Sequence, residues 1–233
     1  MKNKFLFLVV LSMLVSCSQA KIRYIGEQYL GAKYVLDPLG EEKAPDTDPL
    51  IRFDAFDCLT FVETALANGD VNKLNKIRYK NGDVNFLSRN HFASIDWLEN
   101  NKNIVENVSY KYGKTAVRTA VIDKQNWFKR VHNIDVKMPK QTAKIEYLPY
   151  SNLQKTIITD KPLIVMFVID NPKIVDKIGT DLIVSHVGFL LPNGKLRHAS
   201  SQHGRVVDVD FQTYIKERAK NKNNIGIALL EIK

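Results

Sequence analysis

Apolar residues change their spacing near residue 160 of this chain. Upstream they recur every three or four positions, or stand singly among polar and turn-forming residues; downstream they alternate or run unbroken. The first part therefore predicts mainly helix and loop, the second mainly strand. Tyr24–Leu30 predicts a short helix, and Leu36–Pro49, with its Asp, Gly and Pro residues, predicts a loop. The strongest helix signal follows Asp57, a good N-cap, with Leu59, Val62 and Leu66 at helical spacing and Asn68-Gly69 as the stop. Asn90–Leu98 predicts another short helix with Asn90 at its entry, and residues 133–162 show no dominant period.

Leu163–Ile169 is a continuous apolar run rich in β-branched residues, which predicts a buried central strand. Leu182–Leu191 predicts a second strand, Pro192-Asn193-Gly194 a hairpin turn, and Lys195–Ser200 the returning strand. Arg205–Val209 alternates as a further strand, Phe211–Lys220 reads as a helix and Ile225–Ile232 as the closing strand. Helices first and an antiparallel sheet second make an α+β fold. No repeat or Pro/Gly-rich linker divides the chain, so residues 24–233 are expected to form one domain.

The first residues follow another rule. Lys2 and Lys4 precede the apolar stretch Phe5–Val15, whose 11 residues suit a secretory leader and fall short of the roughly 20 that a membrane span requires. Leu14-Val15-Ser16-Cys17 resembles the lipobox of bacterial lipoproteins. On that resemblance residues 1–16 are a removable signal peptide, Cys17 is the lipidated N-terminus, and residues 17–23 are the tether to a periplasm-facing outer membrane.

The 233 residues are 45% hydrophobic and 25% charged, the proportions of a folded protein, and carry a net charge of +9. Because no run of basic residues exceeds two, the charge reads as a solvated surface, and no nucleic-acid partner is expected. With only Cys17 and Cys58, a disulfide framework and a four-cysteine zinc site are both excluded.

The candidate chemistry lies in Asp57-Cys58 at a predicted helix start, Ser185-His186 in one strand, and His198 in the strand hairpinned to it. A thiol needs help to become a nucleophile, and a helix N-terminus or an imidazolium supplies it. An imidazole then shares the proton while a third polar group orients it. Folding the hairpin about Asn193-Gly194 sets residue 186 opposite 200 and 188 opposite 198, so the two histidines become neighbours. His132, after Lys129-Arg130, is expected at the surface, and His203 could line a cleft. Arg52, Arg89 and Arg197 are charge partners for an acidic ligand. A non-catalytic binding role and a zinc site from Cys58, His186, His198 or His203 are the rival readings.

Phe56-Asp57-Cys58-Leu59-Thr60-Phe61-Val62-Glu63, Ser185-His186-Val187-Gly188-Phe189 and Asn193–Ser200 together resemble the NlpC-type cell-wall cysteine amidases and peptidases. The resemblance implies a papain-like fold with the nucleophile at the start of a helix packed on an antiparallel sheet. It implies Cys58 as nucleophile, His186 as base and His198 as orienter, with no metal or cofactor. Tyr34-Val35, Arg52–Glu63 and Ser88-Arg89-Asn90-His91-Phe92 resemble a subfamily that cleaves the amide between N-acetylmuramic acid and L-alanine, preferring anhydro-muropeptides. By that resemblance Tyr34, Arg89, Asn90 and His91 contact substrate, a peptidoglycan fragment. The loop Leu36-Asp37-Pro38-Leu39-Gly40 departs from the Gly-Thr-Leu common in that subfamily.

The leader carries the first prediction. Cys17→Ser should move the protein from the membrane fraction to the soluble exported fraction; membrane association that survives both the substitution and a high-salt wash would overturn the lipobox assignment.

Overall fold

The computed structural model describes residues 25–153 and 156–233, so the expected leader and tether, Cys17 and Tyr24 lie outside the described residues. The architecture is built around Leu163–Ile169, all seven of whose residues are buried. An unbroken apolar strand requires cover on both faces, and the chain supplies it from separate segments. In order these are β1 (Lys33–Tyr34), β2 (Ala55–Phe56), α1 (Cys58–Ala67), α2 (Val71–Arg78), β3 (Val105–Asn107), β4 (Ala116–Ile122), α3 (Lys124–His132), β5 (Gln141–Pro149), β6 (Leu163–Ile169), α4 (Lys173–Ile178), β7 (Val184–Leu190), β8 (Lys195–Ser200), β9 (Arg205–Asp210), α5 (Phe211–Ala219) and β10 (Asn224–Ile232).

The strands form one sheet in the order β2-β1-β9-β8-β7-β6-β10-β5-β4, with β3 also on β10. The pairing is antiparallel except between β1 and β2. On one face Ile164, Met166 and Val168 pack with Phe61 and Val62 of α1. On the other Leu163, Val165 and Phe167 pack with Phe211 and Ile215 of α5. The fold is the expected α+β arrangement, a cysteine-opened helix on a largely antiparallel sheet.

Its first part holds more strand than the apolar spacing predicts. In β4 Val117 and Val121 face solvent while Ala120 and Ile122 face inward, so the alternation carries little contrast. β5 lies in the undetermined stretch for the same reason, its inward set beginning with a small residue, Ala143, followed by Ile145. Tyr24–Leu30 is reduced to one 3-10 turn, Glu27–Tyr29, between Gly26 and Gly31, both at positive φ. The helix expected from Asn90 begins instead with a π-helical turn, Ala93–Trp97, running into Leu98–Asn100.

Two buried arginines fasten the 37–48 loop to the helices. Arg78 of α2 bonds Glu63 of α1 at 3.1 Å and donates to the Leu39 carbonyl. Arg89 meets Glu41 through two 2.8 Å bonds, Asp46 at 2.6 Å and Asp37 at 3.1 Å. Removing one partner of such a group strands the remaining charges away from water, at a cost of about 3–5 kcal/mol for a buried pair. Arg89→Met should therefore lower the unfolding free energy by about 3 kcal/mol in urea titration; a loss below about 1 kcal/mol would show the carboxylates to be solvated without it.

Candidate active site

Asp57 organises the start of α1. Its Oδ1 accepts the backbone N–H groups of Leu59 at 3.0 Å and Thr60 at 2.8 Å, while Thr60 Oγ1 accepts the Asp57 N–H at 2.9 Å. This reciprocal cap satisfies amides that a helix start leaves open. The other oxygen, Oδ2, accepts the N–H of Asp37 at 3.2 Å and ties the 37–48 loop to the helix. Cys58 is thereby placed at the first helical position, half-buried.

The Cys58 sulfur is met by the backbone amides of Cys58, Leu59 and Val187. These favour thiolate, yet burial and the neighbouring Asp57 carboxylate outweigh them and push the thiol up to about 12. The expectation that the helix start delivers a standing thiolate is therefore corrected: the same carboxylate that caps the helix repels negative charge on the sulfur.

β7 and β8 pair at Phe189↔Arg197 and Leu190↔Leu196, the register expected from the Asn193-Gly194 turn. Gly188 permits the approach of the strands, since a Cβ there would lie 2.8 Å from the Arg197 carbonyl oxygen and 2.9 Å from His198 Cβ. His186 Nε2 and His198 Nδ1 meet at 2.7 Å, and the rings stand nearly perpendicular at 82° with centroids 4.9 Å apart. No hydrogen bond joins Cys58 to His186. They are brought to one place through the next residue, Val187, whose amide meets the thiol.

Burial, the neighbouring imidazole and the Arg218 guanidinium hold His186 well below the usual histidine range. Burial, His203 and Arg218 lower His198 to about 4, against the opposing pull of Asp208. Both imidazoles are neutral near pH 7, so the bond between them fixes their tautomers as a pair. With the proton on His186 Nε2, His198 Nδ1 accepts, and His186 Nδ1 is left as the open lone pair. His198 then carries its own proton on Nε2, an atom buried without a partner among the described residues.

Tyr34 belongs to this neighbourhood: burial first, then the Cys58 and Asp57 charges, raise its phenol. The other expected substrate contacts lie elsewhere. Asn90 is buried with its Nδ2 on the Ile77 carbonyl, and caps no helix. His91 Nε2 meets the Phe86 carbonyl oxygen at 2.7 Å, and its ring packs on Phe86, Trp127 and Phe128. Arg89 reaches the site only through Asp37, its guanidinium taken up by three carboxylates. Arg197 is held by Asp208 at 2.7 and 2.8 Å, and Arg52 by Asp54 at 2.9 and 2.7 Å.

His203 is exposed and its Nδ1 lies 2.9 Å from Ser200 Oγ. His132, expected at the surface, is half-buried against Trp127 and Phe86. It helps line a cavity of about 340 Å³ with Asp37, Asp46, Asp48 and Phe86. Among the described residues no three His, Cys, Asp or Glu side chains are grouped to hold a metal ion. Two contributors had escaped the sequence reading. Tyr214, its ring 5.0 Å from His198 and 6.2 Å from His186, and Arg218 lie one turn apart on α5, and only the sheet topology shows that α5 covers the histidines.

Residues 24–225 match the family model for AmiA-like, N-acetylmuramoyl-L-alanine amidase-like proteins. A crystal structure of a Legionella pneumophila protein shares 26% identity at a TM-score of 0.83, over 92% of this chain and 88% of that one. An N-acetylmuramoyl-L-alanine amidase from Bacteroides uniformis shares 22% identity at a TM-score of 0.70, over 92% and 98% of the respective chains; at that identity the likeness is one of fold. No curated protein matches the sequence.

The protonated thiol is directly testable. In a folded Cys17→Ser protein, Cys58 should react slowly with iodoacetamide near pH 7 and accelerate only above about pH 10, whereas the urea-unfolded chain should follow an ordinary thiol near pH 8.5. An inflection below pH 8 in the native protein would mean a standing thiolate.

Proposed function

The chain belongs to the AmiA-like, N-acetylmuramoyl-L-alanine amidase-like family, and on that footing we propose that it hydrolyses the N-acetylmuramoyl-L-alanine amide of peptidoglycan fragments, with anhydro-muropeptides preferred, through a cysteine acyl-enzyme. As a member of that family it is an amidase-like hydrolase. The observation that carries the cysteine mechanism is the 2.7 Å contact of His186 with His198, beside a helix-opening cysteine whose thiol meets the amide following His186.

The neutral resting state dictates the order of events. A thiol at about 12 and an imidazole well below 6.5 do not exchange a proton spontaneously, so transfer to His186 Nδ1 accompanies attack. As the Cys58 sulfur bonds the amide carbonyl carbon, its proton passes to His186, and the imidazolium is stabilised by donating from Nε2 to His198. The carbon–nitrogen bond breaks, the proton moves from His186 to the departing L-alanine amine, and a muramoyl thioester remains. Water, deprotonated by His186, then attacks the thioester and returns Cys58 to the thiol. The Cys58 amide, the one at the start of α1 that Asp57 does not take up, is the donor suited to the tetrahedral oxyanion. The lipobox-like Leu14-Val15-Ser16-Cys17, which would end a leader at Ser16, supports action in the cell envelope from a lipid anchor.

Product masses test the bond cleaved. Hydrolysis of a defined anhydro-muropeptide should release a stem peptide beginning with L-alanine and an intact muramoyl sugar; a muramoyl dipeptide would place the cut inside the stem. Cys58→Ala and His186→Ala should abolish turnover, and His198→Ala should lower kcat more than tenfold but less severely. Because His186 must be neutral to accept the proton and is held low, kcat/KM should fall only on acidification below about pH 6.5, the unperturbed histidine value. Wild-type turnover in a folded Cys58→Ala protein would reject the thiol mechanism.

A further inference from the structure

Arg218 of α5 has surroundings unusual for a charged side chain. Its Nη2 donates to Ser185 Oγ at 2.8 Å and Asn224 Oδ1 at 3.1 Å. The guanidinium carbon lies 4.8 Å from the centre of the Phe167 ring and 5.9 Å from that of Tyr214. Among the described residues no carboxylate comes within 4.0 Å of it. A half-buried cation ordinarily has a counter-ion; here a hydroxyl, an amide and two aromatic faces stand in for one.

Three of those four neighbours lead to the histidine pair. Ser185 immediately precedes His186, the Phe167 ring lies 5.5 Å from that of His186, and the Tyr214 ring lies 5.0 Å from that of His198. Resting on the cysteine-amidase reading, we infer that Arg218 is a positioning residue of the active site, anchoring the Ser185–His186 strand to α5 and placing a cation without a carboxylate partner behind the two imidazoles.

The charges facing the pair bear this out. His186 is faced by His198 from β8 and by Tyr214 and Arg218 from α5, and the Cys58 thiol of α1, with the Asp57 carboxylate next to it, lies by Tyr214 and the Val187 amide. His198 is also within reach of His203 and of Asp208 on β9, and Asp208 is already paired with Arg197. Arg218 is thus the one arginine in this set without a carboxylate, and it acts on both histidines in the same direction, after the larger effects of burial and of the neighbouring imidazole, His198 for His186 and His203 for His198. A proton arriving on either ring would place a second positive charge beside the guanidinium. The consequence is a site whose proton acceptor stays available under acid conditions that would charge an ordinary histidine.

The test compares Arg218→Gln, which loses the charge but keeps hydrogen-bonding reach, with Arg218→Lys, which keeps the charge, both in the full chain. Two readouts are taken: histidine ring titration by NMR, and the pH profile of kcat/KM on an anhydro-muropeptide. Arg218→Gln should raise the titration midpoints of His186 and His198, and with them the acid limb of kcat/KM, by about one pH unit. Arg218→Lys should leave both near wild type. Unchanged midpoints in folded Arg218→Gln, or equal shifts in the two variants, would overturn the role of the charge. Midpoints that rise as expected in a protein whose wild type shows no hydrolysis would sustain the electrostatic role and reject the amidase reading instead.

Discussion

The Asp57 carboxylate is the constraint around which the site is arranged. One of its oxygens closes the amide end of α1, the other holds the 37–48 loop, and the group as a whole sits next to Cys58. The first two roles need two acceptor oxygens at this position, which a carboxylate supplies, and an N-cap of this kind contributes about 1 kcal/mol and fixes where the helix begins. The third works against the chemistry, because that charge opposes thiolate. The fold answers the conflict locally. Backbone amides from two different elements converge on the sulfur, so negative charge that is unwelcome at rest has donors waiting for it as it develops.

The same restraint governs the other half of the site. His186 and His198 are packed among aromatic rings, and burial disfavours the charged form of each, so the interior of the site gathers a thiol, two imidazoles and the two phenols of Tyr34 and Tyr214. Charge is kept at its border instead, in Asp57 on the α1 side and Arg218 on the α5 side. The buried arginine network behind the 37–48 loop is separate in kind. Arg78 and Arg89 spend their donors on protein carboxylates and a carbonyl, and act on the site only by fixing where Asp37, and through it Asp57, can lie.

How much of this could be read from the residues alone differs from place to place. The helix at Cys58 and the hairpin carrying both histidines were legible because local signals agreed: an N-cap with a helical apolar period in one, an Asn-Gly turn between apolar runs in the other. The register even placed the histidines as neighbours. β4 and β5 were hidden because their inward residues are small or are outweighed by outward valines, so burial is decided by tertiary position and not by apolar contrast. Arg89, Asn90 and His91 carry polar groups that suit a ligand equally well, and only three-dimensional pairing shows those groups already engaged by Asp37, Glu41, Asp46, Ile77 and Phe86. Tyr214 and Arg218 had no local signal, since their connection to the histidines is made by the antiparallel return of the chain over β6 and β7.

The absence of a side chain at Gly188 has a consequence for how the site can vary. The gap between β7 and β8 is there no wider than a hydrogen atom allows, and the hairpin carries His186 on one strand and His198 on the other. Even one methyl group at position 188 would act as a wedge, its thickness entering directly into the separation of two rings whose contact tolerates a few tenths of an ångström. Evolution can recolour the walls of this cleft through its loops, but the hinge line of the hairpin is mechanically closed to it: the chemistry is held in tune by an atom that the chain leaves out.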